Sequence, residues 1–396
     1  MRRRHNPGFE ILSAPLAHWP QNVSQFLTTI TQGIFDPGRH FAEILAITTY
    51  LTLGRSGLKI SPLCLGTMTF GTEWGWGNHE ADAKAIFDHY VDAGGNFIDT
   101  ADGYTNGKSE ELVGKFIRER NLRHKIALAT KFSLGTEEGN PNAGGNGRKN
   151  IYRALEGSLK RLGTDFIDVY WLHCWDQVTP VEEVVDTLDD LVREGKIRYA
   201  GLSDVPAWYA SRAQTLLEKE GKHRLVALQL EYSLVERNIE REHVPLAQEL
   251  GYGICPWSPL AMGILTGKYR REDVSNTGRL SKTDGGGNPA FNRFNDRNWK
   301  IVDTLVEVAK ELGRSPAEVA LHWAVTQPGI TSVIIGATKI EQLQSNLSSL
   351  DLFIPGELRK KLDDATAIDI VHPYSFFREP IVGRINGGVE VRKWRG

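Results

Sequence analysis

Four ionisable side chains stand where their types could work together. Asp99 closes the apolar run 96–100, Lys131 lies at the end of run 126–132, His173 ends run 167–173, and Tyr104 follows in the loop after Asp99. A charge left unpaired beside a buried apolar run is costly, so these positions need a reason. A tyrosine hydroxyl near a lysine ammonium has its phenolate stabilised, so its pKa should fall from about 10. A buried lysine tends to lose its proton, and Asp99 would hold it charged. Such a tyrosine donates a proton to a carbonyl oxygen during reduction and takes it back during oxidation. His173 would orient or polarise the same oxygen. The set is a proton relay for carbonyl chemistry with a hydride donor, and it requires no metal. A blander account stands beside it: each residue could pack or hydrogen-bond locally, with Asp99 and Lys131 as a buried ion pair.

For these residues to meet, their runs must be neighbouring strands. Residues 61–68, 96–100, 126–132, 167–173, 198–203, 226–231, 253–257 and 332–335 are rich in Ile, Val, Leu and aromatics, several of them apolar throughout. That is the pattern of parallel strands buried on both faces. Amphipathic helical runs lie between them, at 81–93, 109–120, 149–162, 180–194, 206–220, 239–250, 300–312 and 340–350. Ser109 with Glu110 and Glu111 suggests a capped, negatively charged helix start. Pro180 and Pro206 suggest first turns, and Gly195 and Gly221 the ends. Eight strand–helix units predict a closed (β/α)8 barrel, whose chemistry sits at the C-terminal strand ends. Those ends also carry Ser203, Asp204, Gln229, Tyr232, Trp257 and Ser258.

Composition narrows the class. Lys plus Arg is 47 against 49 for Asp plus Glu, a net charge of −2 that gives no electrostatic reason for a nucleic-acid or membrane partner. No apolar run reaches about 18 residues, and three cysteines (Cys64, Cys174, Cys255) without a CxxC argue against a disulfide framework or a zinc site. A cytoplasmic globular protein is expected. Residues 1–48 open with three arginines but are broken by Glu10, Pro15, His18 and Pro20, which spoils a signal-peptide core. They are expected to be a disordered or loosely docked extension, or the product of an upstream start codon. The barrel is expected over 49–370 and a tail over 371–396.

The segments "NFIDTADGYTNGKSEELVGKFI", "IALATKF", "DVYWLHCWD", "AGLSD", "LQLEYSLVER", "PWSPLAMGILTGKY" and "SVIIGATKIEQLQSNL" closely resemble the aldo-keto reductases, in family order from about Tyr50 to Ala367. The likeness is greatest to the aryl-alcohol dehydrogenase-like and potassium-channel β-subunit-like branches, with long loops after the third and seventh strands. The resemblance implies a catalytic tetrad of Asp99, Tyr104, Lys131 and His173, with Tyr104 as general acid/base. It implies that Ser203 and Gln229 bond the nicotinamide carboxamide and that Trp257 stacks on the ring. It places Ser258, Leu260, Gly263 and Lys268 around the pyrophosphate, and Gly336, Lys339, Gln342 and Asn346 at the adenosine end. The usual Asn after the serine is Asp204 here. His173, where some members carry Glu, favours C=O over C=C reduction.

NADPH is the expected cofactor, with Lys339 as phosphate partner and NADH as the alternative. No GxGxxG is present, as a non-Rossmann site requires, and the "GNPNAGGNG" stretch lacks the Lys-Ser/Thr of a P-loop. Trp74, Trp76, Phe132 and Trp175, with Tyr104, are expected to wall a substrate pocket for an aldehyde, ketone or alcohol, aryl in preference. The alternative is that these tryptophans only pack their loops. The long loop 270–297, with Gly285–Gly287, suggests a hinged cover, and Cys174 a pocket-lining residue. Three rivals remain: a regulatory cofactor-binding protein with little turnover, a metal-dependent hydrolase, which lacks any HxH, and a glycosidase, which lacks a second clear carboxylate. Oligomeric state is left open.

Overall fold

In a computed structural model, residues 45–269, 271 and 293–392 are described. The expectations for residues 1–44 and for Gly285–Gly287 lie outside them. A short antiparallel hairpin, β1 (Leu51–Thr52) and β2 (Lys59–Ile60), comes first. Eight parallel strands follow, β3 (Leu63–Gly66), β4 (Phe97–Asp99), β5 (Ala127–Phe132), β6 (Ile167–Leu172), β7 (Ile197–Ser203), β8 (Ala227–Gln229), β9 (Gly253–Ile254) and β10 (Val333–Ile335). Each pairs with the next from β3 to β9, and β10 pairs back onto β3. Between β9 and β10 the seam closes through single bonds: Ile334 N–H donates to the Pro256 carbonyl and Thr331 N–H to that of Ile254, both at 2.8 Å. The result is the (β/α)8 barrel.

The helices are α1 (Glu80–Asp92), α2 (Lys108–Glu119), α3 (Arg148–Leu162), α4 (Val181–Arg193), α5 (Ala207–Lys219), α6 (His243–Leu250), α7 (Asp296–Leu312), α8 (Pro316–Val325), α9 (Ile340–Ser348), α10 (Gly356–Ala365) and α11 (Ile381–Ile385). The predicted helix ends shift by small steps with clear causes. Pro180 and Pro206 are the residues before the first turn rather than within it. Ser109 is not the cap of α2: that place is taken by Gly107, and the Ser109 hydroxyl instead donates to the Thr67 carbonyl at 2.7 Å. Helix α7 starts earlier than its apolar period suggests because the Asn295 side chain accepts from Asn298 N–H. The loop read as 270–297 therefore ends in helix.

Strand alternation decides which side chains face the site. Cys64, Phe97, Ala127, Ala129, Val169, Trp171, Ala227, Cys255 and Ile334 fill the barrel interior, whereas Leu65, Ile98, Leu128, Tyr170, Leu202 and Leu228 pack against the helices. Leu53 and Ile60 of the hairpin join the interior cluster and plug the N-terminal end. Gly201 has a packing reason: a Cβ there would lie 2.3 Å from the Trp171 ring. Leu45 and Ile47 pack against the outer cluster. Of the tail, residues 371–392 are described, with α11 and a short turn at Tyr374–Phe377 burying nothing. Among the described residues, no helix is long and apolar enough to cross a membrane.

Candidate active site

The in-phase positions at the C-terminal strand ends are Asp99 on β4, Lys131 on β5, His173 just after β6, Ser203 on β7, Gln229 on β8 and Trp257 beyond β9. Lys131 is 0% exposed. Its ammonium is paired with Asp99, donates to the Thr100 carbonyl at 2.8 Å and lies 3.2 Å from the Tyr104 hydroxyl. Burial opposes the charge, but Asp99 and Tyr104 outweigh it and hold the lysine above its ordinary range. The other Asp99 oxygen accepts from Gln229 Nε2 at 3.0 Å, so Gln229 also steadies the counter-ion. The expected fall of the tyrosine pKa does not occur. Burial pushes Tyr104 above 10, and the Lys131 charge recovers only part of it, so the phenol is neutral.

His173 packs edge-on to the Tyr104 ring, with centroids 5.9 Å apart. Its backbone N–H donates to the Phe132 carbonyl at 2.9 Å, which fixes its place beside β5. Burial and the Lys131 charge hold its pKa down to about 3, so the imidazole is neutral. Its Nδ1 is buried without a partner, an exception of the kind found at functional positions.

Tyr104 rides on a backbone whose next two residues, Thr105 and Asn106, have φ of 46° and 55°. A β-branched residue at positive φ is an outlier. Thr105 is held there by its hydroxyl, which donates to the Phe70 carbonyl at 2.8 Å and accepts from Ser109 N–H at 3.0 Å. Sequence reasoning missed Thr105, and the only signal was its place between Gly103 and Gly107.

Asp204, also at positive φ (46°), accepts from Trp257 Nε1 at 3.0 Å. The carboxylate thus pins the indole edge. The residue is solvent-reachable yet crowded by protein, and desolvation pushes its carboxyl up to about 6. Beyond Trp257, Ser258, Ala261, Met262 and Gly263 all have positive φ, and such turns direct successive N–H groups into anion-binding concavities. Met262 N–H donates to Ser258 Oγ at 3.3 Å, and the Leu260 carbonyl accepts from Gly263 N–H at 2.9 Å. Lys268 reaches back over Gly263, whose absent Cβ would lie 3.2 Å from its Nζ. Among the described residues neither Lys268 nor Lys339 has a carboxylate partner.

At the end of β10, Gly336 opens onto space that a Cβ would not fill, and Asn346 Nδ2 donates to its carbonyl at 3.3 Å. Lys339 precedes the first turn of α9. Gln342 is occupied in capping that helix, its Oε1 accepting from Thr338 N–H (2.8 Å), Thr338 Oγ1 (3.1 Å) and Lys339 N–H (3.2 Å).

Of the four expected pocket residues, Trp74 meets Tyr104 and Trp76 stands behind it. Their rings are 5.5 Å apart, and Trp74 lies 6.3 Å from Tyr104, edge-on. Trp175 packs against Trp208 and Tyr209. Phe132 does not line a pocket: it is 0% exposed and packs at a tilt against Tyr170 under the helices, ring centroids 4.9 Å apart. Neighbouring strand residues face opposite ways, so with Lys131 inward Phe132 must point outward.

Residues 62–366 match the sequence profile of the aldo/keto reductase family. The chain is 33% identical to an NADP(+) aryl-alcohol dehydrogenase of Phanerodontia chrysosporium, over 81% of this chain and 86% of that protein. It is 32% identical to a norsolorinic acid reductase of Aspergillus flavus, over 82% of each. A probable voltage-gated potassium channel β-subunit of Oryza sativa subsp. japonica is 37% identical, over 76% of this chain and 91% of its own length.

Proposed function

The chain belongs to the aldo/keto reductase family and is an NAD(P)H-dependent oxidoreductase acting on small carbonyl or alcohol substrates, and from that premise we propose that it uses NADPH to reduce aryl aldehydes or ketones, with Tyr104 as the proton donor. The observation that carries this reading is the Lys131 ammonium, fully buried and bonded to both Asp99 and the Tyr104 hydroxyl. A nicotinamide cofactor, when held by these residues, would supply the hydride. Everything else falls to the protein's own groups.

Tyr104 holds a neutral phenol, ready to donate as negative charge grows on the substrate oxygen. The phenolate left behind meets the ammonium 3.2 Å away, and that charge is strongest where water is excluded. Asp99 keeps the ammonium protonated throughout. His173, neutral, offers a hydrogen bond to the same oxygen without competing for the proton. Trp257, pinned by Asp204, presents a ring for stacking, and Ser203 and Gln229 offer polar groups beside it.

The residues present fit a dinucleotide. The turn at 258–263 suits a pyrophosphate, the open surface at Gly336 leaves room for a purine, and among the described residues Lys268 and Lys339 stand without acidic partners. Lys339 at a helix start suits a phosphate, which favours NADPH, as does the NADP(+) in the fungal relative's name. The test is oxidation of NADPH and of NADH against a panel of aryl aldehydes, with cofactor affinities from quenching of tryptophan fluorescence. Turnover with tighter NADPH binding supports the reading. Tight binding without turnover would favour a cofactor-binding regulatory protein on the same fold, and failure to bind either cofactor would overturn both.

A further inference from the structure

A second aromatic group stands outside the catalytic cluster. Trp208 lies in the first turn of α5, shortly after Asp204, and Trp175 follows His173 by two residues. Two residues of chain reach no farther than about 7 Å, so Trp175 stays beside the catalytic histidine. The two indoles meet edge-to-face at 5.4 Å, and Tyr209 completes the group at 5.9 Å from Trp175 and 5.7 Å from Trp208. Tyr209 is buried and Trp175 half-buried, whereas Trp208 is 55% exposed. A tryptophan held rigidly by two rings yet open on one face is a platform rather than core.

The platform continues the site. Ring contacts run from Trp74 to Tyr104 (6.3 Å) and on to His173 (5.9 Å), and two residues along the chain Trp175 begins the second group with Trp208. A single ring held at Tyr104 covers only the inner part of this strip. Among the described residues the cation set against these rings is the buried Lys131, and the carboxylate of Asp204, which accepts from Trp257 beside the site, repels anions.

We propose that Trp208 and Trp175 form an outer aromatic subsite that takes the distal ring of an uncharged biaryl or polycyclic carbonyl compound. This rests on the carbonyl-reducing reading above and deepens it. Stacking on the open indole face adds affinity for the extended substrate alone, so the subsite sets size preference without touching the chemistry.

The experiment compares benzaldehyde with biphenyl-4-carbaldehyde in wild type, Trp208→Ala and Trp208→Phe. A second arm measures binding of benzyl alcohol and biphenyl-4-methanol to the NADPH-saturated enzyme by calorimetry, where no reaction can run. In Trp208→Ala the ratio of biaryl to benzaldehyde kcat/KM should fall at least tenfold, equal to about 1.4 kcal/mol, chiefly through KM. Biphenyl-4-methanol affinity should fall in parallel, and Trp208→Phe should restore most of both. An unchanged ratio, or equal losses for both aldehydes, would overturn the subsite. If wild type reduces neither aldehyde, the carbonyl-reducing reading fails separately, and the binding arm still decides the subsite: biphenyl-4-methanol binding that does not depend on Trp208 refutes it.

Discussion

Replacing Asp99 by Asn tests the energetics of the buried ion pair with little change of shape. An asparagine can keep its Oδ1 towards Lys131 and offer its amide to Gln229, whose own amide can turn to accept. What is lost is the counter-charge. Lys131 then has two routes. It can stay charged with only the Thr100 carbonyl and the Tyr104 hydroxyl as neutral partners, and breaking a buried pair this way costs about 3–5 kcal/mol. Or it can enter the native state neutral, which from a reference pKa of about 10.4 costs about 4.6 kcal/mol at pH 7, at about 1.36 kcal/mol per unit. Both routes predict a loss of about 3–5 kcal/mol in urea unfolding at neutral pH.

The pH dependence separates this from a mere loss of packing. In wild type the lysine is held above its unfolded value, so its contribution is complete below about 10.4 and disappears as pH rises through the folded value. In the variant the counter-charge is gone and burial depresses the lysine, so stability rises with pH up to the unfolded value. The gap between the two proteins should therefore narrow as pH approaches 10. A gap under about 1 kcal/mol at pH 7, the range of an exposed pair, or one independent of pH, would refute the reasoning.

Four further outcomes follow from the same geometry. His173, held down to about 3 by burial and the Lys131 charge, should show no imidazole titration in NMR spectra between pH 5 and 8. Because the unfolded histidine takes up a proton below about 6.5, His173→Gln should gain stability relative to wild type as pH falls from 7 to 4. Asp102 is 3% exposed, has an unpartnered Oδ1, and is pushed up to about 7 by burial and by Glu110. Asp102→Asn should therefore stabilise the protein at pH 8, by up to about 4 kcal/mol, with the gain shrinking towards pH 4 in paired urea melts. Gly201→Ala drives a Cβ to 2.3 Å from the Trp171 ring and 2.9 Å from the Ala227 carbonyl, and should lower stability by at least about 1–3 kcal/mol, seen as a drop in Tm.

The strands were legible because fully buried parallel strands are unbroken apolar runs, and the charged residues closing those runs stood out against them. Phase along the strand was equally available, and applying it would have excluded Phe132 from the pocket once Lys131 was placed inward. Helix α8 escaped because residues 319–325 are all buried, which erases amphipathic contrast, although Ser315 and Glu318 of its capping box were visible. The hairpin strands are two residues each, too short for any period to show. Gln342 and Ser109 have side chains that bond their own backbone surroundings, which depends on how neighbouring segments meet. The neutral state of Tyr104 was hidden for a similar reason: the sequence shows the lysine, but the burial that outweighs it arises only in the closed barrel.

The central claim is that Tyr104 delivers the proton while the lysine beside it makes that possible. The most direct measurement is single-turnover reduction of an aryl aldehyde by Tyr104→Phe with NADPH bound, alongside NADPH affinity from tryptophan quenching. The phenyl ring keeps the packing against Trp74 and His173 but carries no proton. The account predicts a fall in the chemical step of at least about a hundredfold, with cofactor affinity within about threefold of wild type. A variant that reduces the aldehyde at the wild-type rate, with cofactor bound, would contradict it.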